Sequence, residues 1–171
     1  MTKEVSVSLQ RESLEKAVRG YVDACNKADA NKIRSYFVEN AVHYFPKGSP
    51  FGTLRSAAAI ADCWTRCVKE LGSWWTVDHV IIDPEAQEAV VEWTHFKPKI
   101  KGYLRGDEWY RFDDNGLITE IRAYYACPAQ KDIARQEIGD YPYEENEYPV
   151  TLPKNALKAR NIRGNRDENR I

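Results

Sequence analysis

Proton transfer near neutral pH is imidazole chemistry first, and this sequence holds three histidines: His43, His79 and His95. An imidazole with an ordinary pKa of about 6.5 takes and returns a proton under physiological conditions. Three histidines are too few for a His-rich zinc site, and the cysteines do not complete one. Cys63 and Cys67 stand four apart, on one face of any helix that carries them, with no CxxC or HxxxH to supply further ligands. They read as buried reduced thiols, and no metal is expected. Asp107 and Glu108 are adjacent, so on a strand they point to opposite faces and cannot form a glycosidase-type acid pair. Neither a glycine-rich phosphate loop nor a nucleotide fingerprint occurs. What remains is acid–base chemistry with no cofactor.

The elements that would hold these groups follow from hydropathy. Leu14, Ala17, Val18, Tyr21, Val22 and Cys25 recur at helical spacing and predict a helix over residues 11–28. Asp29 stands where an N-cap belongs, and Ile33, Tyr36 and Phe37 predict a second, short helix. Val42 to Phe45 reads as a brief strand stopped by Pro46, Gly48 and Pro50. Arg55 to Leu71 is a third helix with Ile60, Trp64, Cys67 and Leu71 on its apolar side. From there the period becomes two, predicting strands over 74–83, 89–96, 105–112 and 117–125. Asp113-Asp114-Asn115-Gly116 supplies a tight hairpin turn. Helices followed by a meander of long strands predict an α+β domain whose sheet curls around the helices. Alternation places His43 with Phe45 on one face and Trp93 with His95 on one face. The pattern leaves open which face of the latter strand looks inward: with Trp93 and His95 inward, an imidazole beside an indole would orient an aromatic ligand, and with them outward His95 is a surface or edge histidine. His79 shares the strand face of Trp75 and reads as a packing residue.

A length of 171 residues fits one domain with an appendage. The formal net charge of −1 offers nucleic acid no basic face. The absence of a long apolar stretch predicts no membrane association and, with no signal-like start, a cytoplasmic protein. Cys25, Cys63, Cys67 and Cys127 are scattered, which suits that reducing compartment. Residues 1–10 are polar and read as a disordered lead-in, and 11–127 as the domain. Residues 128–171, with eight basic and eight acidic side chains, read as an extended C-terminal arm that is acidic in its middle and basic at its end.

Two segments carry a family resemblance. One is Tyr21 to Asp29 (YVDACNKAD), followed by Tyr36-Phe37 and Asn40-Ala41-Val42; the other is Glu108 to Phe112 (EWYRF), the turn to Gly116, and Leu117 to Ala123. Together with the element order, they resemble the nuclear transport factor 2-like (NTF2-like) superfamily, and within it the SnoaL-like polyketide cyclases and ketosteroid isomerases. The resemblance implies a cone-shaped, cystatin-like fold over residues 11–127, with three N-terminal helices against a curled antiparallel sheet. It also implies that Glu108, Tyr110 and Phe112 face inward with Ile121 and Ala123, while Trp109, Arg111 and Arg122 face outward.

By the same resemblance, Tyr21 takes the place of the isomerases' oxyanion tyrosine and Glu108 that of their protonated aspartate. A carboxyl kept neutral in an apolar cavity donates a hydrogen bond to developing negative charge. The isomerases' general base falls on Phe45, which cannot act as one, so His43 two residues earlier is the expected base and His95 the alternative. Dehydratase-type relatives place an aspartate where Asn26 or Asp29 stands and a histidine near Trp75, so that dyad is incomplete. The epoxide hydrolase-like relatives need an acid after the last strand's arginine, where this chain has Ala123. Phe45, Trp64, Trp75, Trp93, Tyr110, Ile121 and Tyr125 are the expected walls of a wide aromatic pocket for an aromatic or polycyclic small molecule.

These readings predict a cofactor-independent lyase acting on a hydrophobic aromatic compound; the resemblance implies elimination of water or, as in superfamily members that cleave lignin-derived diarylpropanoids, of formaldehyde. The alternatives are an isomerase or cyclase, and a non-catalytic scaffold resembling oxygenase beta subunits. A homodimer or higher homo-oligomer is expected through the outer sheet face with Trp109 and Arg122.

Overall fold

Apolar residues three and four apart draw the first helix onto the sheet. The computed structural model describes residues 3–46, 49–125, 135–136, 144–145 and 147–156. In it, α1 (Lys3–Asn26) buries Leu14, Val18, Tyr21 and Cys25. The helix starts ahead of residue 11, so the stretch expected as a disordered lead-in is helical from Lys3. Lys, Glu and Gln are good helix formers, and extending an existing helix avoids the cost of nucleation.

In α2 (Ala30–Arg34) the Asp29 carboxylate accepts from the Lys32 backbone N–H at 3.0 Å, the expected N-cap. Asp29→Ala is expected to cost about 1 kcal/mol in urea denaturation at an unchanged m-value. Stability equal to wild type would show that the cap contributes nothing. The helix ends before Tyr36 and Phe37. Phe37 instead opens β1 (Phe37–Tyr44), with its ring edge-on to Tyr21 at 5.0 Å.

A two-residue strand, β2 (Leu54–Arg55), precedes α3 (Ala57–Leu71). Ser56 Oγ caps α3 by accepting from Ala59 N–H at 3.1 Å. At the other end Gly72 takes φ +68°, which only glycine adopts without strain. Ile60, Trp64 and Cys67 are buried along one side of this helix.

The remaining strands are β3 (Trp74–Asp83), β4 (Glu88–Lys97), β5 (Gly102–Phe112), β6 (Ile118–Tyr125) and β7 (Arg135–Gln136), with a 3-10 turn at Pro98–Ile100. Their order is β2-β1-β6-β5-β4-β3. β3 to β6 form the antiparallel meander read from the period-two pattern. The expectation of a wholly antiparallel sheet is corrected, because β1 runs parallel to β6. No hairpin joins these two strands; the chain passes through α3 and the entire meander between them, so either direction was open. β7 pairs with β5 at Tyr103 and Leu104, beyond Gly106, where β6 leaves off.

In the turn after β5, Asp113 accepts from the backbone N–H groups of Asn115 and Leu117 at 3.0 and 2.8 Å, and Gly116 takes φ +76°. Those bonds, the one to Leu117 foremost, hold the Asp113 carboxyl below its ordinary range. α1 packs on β3 and α3 on β1, and the buried residues of both helices join those of the strands in one core, so both cover the same face of the sheet. Val91, Ile118 and Ile121 on that face are fully buried, each contributing about 1.5–3 kcal/mol relative to exposure. This is the cone-shaped α+β architecture expected.

The first compact unit runs to Ile138 and the second covers Gly139–Ile171. Among the second unit's described residues, Glu147 N–H donates to Glu144 O and Ala156 N–H to Pro153 O. Cys127 and most of the expected arm lie outside the described residues. Among those described, no helix is long and apolar enough to cross a membrane.

Candidate active site

Strand alternation on β5 turns Glu108, Tyr110 and Phe112 toward the helices and leaves Trp109 39% exposed on the outer face. The Tyr110 hydroxyl donates to Glu108 Oε2 at 2.7 Å. Burial first, then the Glu108 charge and this bond, push the Tyr110 phenol well above its ordinary pKa, so it remains a donor. The other carboxylate oxygen, Oε1, lies 3.3 Å from His43 Nε2. That contact is short but off line for a hydrogen bond, and both His43 ring nitrogens are buried without hydrogen-bond partners.

His43 and Glu108 sit two strands apart, on β1 and β5, with β6 between them. Neighbouring strands are separated by about 4.8 Å, so only long side chains reaching over β6 can meet. The β6 residue paired with Glu108 is Ala123, whose single methyl leaves that path open. His43 itself is clamped from the other side, stacked on Phe45 at 4.2 Å and edge-on to Trp64 at 5.5 Å.

Trp64 Nε1–H donates to the Tyr21 hydroxyl oxygen at 2.7 Å. Burial raises the Tyr21 pKa well above its ordinary value, and the neighbouring Cys25 thiol is pushed up by burial too. Tyr21, Cys25, Trp64, Trp75, Trp93, Glu108 and Tyr110 surround a cavity of about 30 Å³. That is room for one or two water molecules, so the expected wide pocket is in fact narrow. Glu108 is the carboxylate on its wall, and His43, expected as the base, stands behind it.

Residues 18–121 of this structure match the SnoaL-like domain, a span of more than half the chain. The chain belongs to the SnoaL-like domain family. At 50% sequence identity it is similar to a protein of unknown function with a cystatin-like fold from Methylobium petroleophilum PM1, with TM-score 0.68, over 84% of this chain and 95% of that one. More distant matches share the NTF2-like fold. One, assigned as a ketosteroid isomerase from Kribbella flavida DSM 17836, is 15% identical with TM-score 0.58, over 84% of this chain and 93% of that one. Another is the epoxide hydrolase/cyclase-like enzyme SalBIII of pyran ring formation in polyether salinomycin, 16% identical with TM-score 0.57, over 67% and 91%. No curated protein matches the sequence.

In this SnoaL-like domain the other expected site residues are dispersed. Phe45 supports the His43 ring, Ile121 is fully buried in register with both His43 and Tyr110, and Tyr125 packs edge-on to Trp93 at 6.2 Å. His95 faces inward, but it stacks on the far side of Trp75 at 4.2 Å, away from the cavity wall. Its Nε2 is 2.8 Å from Ser73 Oγ, and burial, with Lys97 nearby, lowers its pKa well below the ordinary value.

A stability test follows for His95. In the unfolded chain its imidazole titrates near 6.5, whereas the folded one stays neutral far below that. Below about pH 6.5 the unfolded state therefore binds the extra proton, and stability falls as pH falls. Urea denaturation between pH 7 and 5 is expected to show an added slope approaching about 1.4 kcal/mol per pH unit, absent in His95→Gln. Identical slopes in both proteins would contradict it.

His79 is exposed rather than packed. A β-bulge between Val77 and His79 shifts the alternation by one, turning Val80 and Ile82 inward instead. Asn26, singled out only as a place where relatives hold an acid, donates through its amide to Trp75 O at 2.8 Å and accepts from Trp75 N–H at 2.7 Å, a contact the sequence did not reveal. It spends both polar atoms seating the Trp75 backbone, a structural use of a position where relatives were expected to hold an acid. Among the described residues there is no cluster of His, Cys, Asp or Glu that could hold a metal ion, and Cys25, Cys63 and Cys67 are free buried thiols.

Proposed function

We propose that this SnoaL-like domain is a cofactor-independent acid–base enzyme, an isomerase or cyclase acting on a small hydrophobic carbonyl compound, with Glu108 as the group that moves the proton. The observation that carries the reading is Glu108 itself, a carboxylate on the wall of an aromatic cavity with a phenol on one oxygen and an imidazole beside the other. Glu108 Oε1 takes a proton from the carbon next to the carbonyl, and the C–H electron pair moves to form the enolate. The same carboxyl then returns its proton to a different carbon, or the enolate carbon closes a ring on an internal carbonyl whose oxygen takes the C=O electron pair and then the carboxyl's proton. Elimination uses the same first step when a hydroxyl stands β to the new carbanion and leaves as water. The Tyr110 hydrogen bond fixes the carboxylate plane, and His43 is a positioning residue behind it.

The narrow cavity favours a ligand that inserts one ring over the two aryl groups of a diarylpropanoid. Trp64 and Trp75, edge-to-face at 5.3 Å, must turn to admit it. A purely structural subunit would account for the packed helices and sheet but not for an unbonded imidazole buried against a carboxylate. The outer face, where Trp109, Tyr124 and Arg122 gather, is the surface through which copies of the domain would associate. The test is deuterium incorporation from D₂O into single-ring ketones and enones, followed by NMR. Exchange driven by wild type and lost in Glu108→Gln is expected; undiminished exchange in both Glu108→Gln and His43→Ala rules the mechanism out.

A further inference from the structure

The donors around the cavity are not all spoken for. The Tyr110 proton goes to Glu108 and the Trp64 indole N–H to Tyr21. Trp93 differs: its Nε1–H is buried and has no hydrogen-bond partner, although its side chain forms part of the cavity wall. A buried donor left unpaired forfeits its hydration with nothing in return, a loss that an acceptor arriving with a ligand would recover.

Register places this donor relative to Glu108. Trp93 pairs with Gly106 and Val91 pairs with Glu108, so Trp93 and Glu108 are diagonal neighbours on the concave face of β4 and β5. Such residues lie about 7–8 Å apart. An oxygen held at the indole and a C–H held at the carboxylate would thus sit at opposite sides of one small conjugated ligand. The indole is also held in place from behind. It lies against Gly106, where a Cβ would come within 2.9 Å of Trp93 Cζ2, and the Tyr125 ring packs on it edge-on.

We propose that Trp93 Nε1–H is the ligand-oxygen contact of this site, selecting flat apolar molecules that carry a carbonyl oxygen and holding the negative charge that oxygen gains when Glu108 removes the proton. This gives the indole a role that the family resemblance implied for Tyr21. The charge-holding half rests on the acid–base reading of Glu108; the binding half does not.

The test uses acetophenone, and ethylbenzene as the same ring without the oxygen. In protein labelled with nitrogen-15, Trp93→Phe identifies the Trp93 indole resonance by its loss. Saturating wild type with acetophenone is expected to move that proton downfield, and ethylbenzene to leave it in place. Wild type is expected to prefer acetophenone by roughly tenfold, and Trp93→Phe to bind the two within about twofold of each other. An indole proton that does not respond, a preference kept in Trp93→Phe, or no binding of acetophenone overturns the proposal. The indole shift is read on wild type, so it decides even if the variant folds poorly. Exchange of the acetophenone methyl protons separates the two readings. Binding through Trp93 with no Glu108-dependent exchange defeats the acid–base mechanism alone. Exchange that persists at the wild-type rate in Trp93→Phe defeats the charge-holding role alone.

Discussion

Glu108→Gln is expected to lower proton exchange or turnover by about three orders of magnitude, within the range of roughly 10²–10⁴ that a positioned general base supplies. Gln keeps the shape of the side chain, and its amide oxygen still accepts from Tyr110, so the cavity wall survives. What is lost is the ability to bind a proton. Tyr110→Phe is expected to cost far less, about tenfold, because it frees one oxygen of a carboxylate that still reacts. Rates for the three proteins on one substrate decide the matter. Equal losses in Glu108→Gln and Tyr110→Phe would mean that the pair matters only as a packed unit.

The second large effect belongs to Gly106→Ala, and it is one of stability. A Cβ at Gly106 would stand 2.5 Å from the Tyr124 carbonyl oxygen and 2.5 Å from Tyr125 Cβ, as well as 2.9 Å from Trp93 Cζ2. The first two neighbours belong to the β6 backbone and its first side-chain carbon, and neither can swing aside. The strain must be relieved by parting β5 from β6, where Gly106 pairs with Tyr125. A loss of about 3 kcal/mol is expected, at the upper end of overpacking effects. For a chain of this size that is a Tm about 6–12 °C lower in a thermal melt. A melt within 2 °C of wild type would show that the strands part at little cost.

The strands were legible because alternation is a local signal; that Glu108, Tyr110 and Phe112 are the inward set on β5 was what the family resemblance implied, and all three are buried. Asp29 and Gly116 were legible for the same reason, since caps and turns act over four residues. The identity of the partners was not. Whether His43 touches Glu108 depends on β1 running parallel to β6, a register set only when the whole sheet is formed. His95 was placed on one face with Trp93, yet its Ser73 partner and its position behind Trp75 come from cross-strand pairing that no period reveals. His79 shows the opposite failure. One extra residue at the bulge inverts every orientation beyond it, and nothing in Val77-Asp78-His79 announces that residue.

The parallel seam between β1 and β6 has a kinetic consequence. The meander from β3 to β6 is built from hairpins, whose contacts close between residues near in sequence. β1 finds β6 only across the long crossover, the class of contact that carries the largest chain-closure penalty and forms slowest. Glu108 and Tyr110 therefore rest on contacts of short sequence separation, and His43 meets them only through the long-range seam. An excursion that releases only β1, with β2 outside it, separates the imidazole from the carboxylate while the meander, with its phenol–carboxylate bond, stays intact.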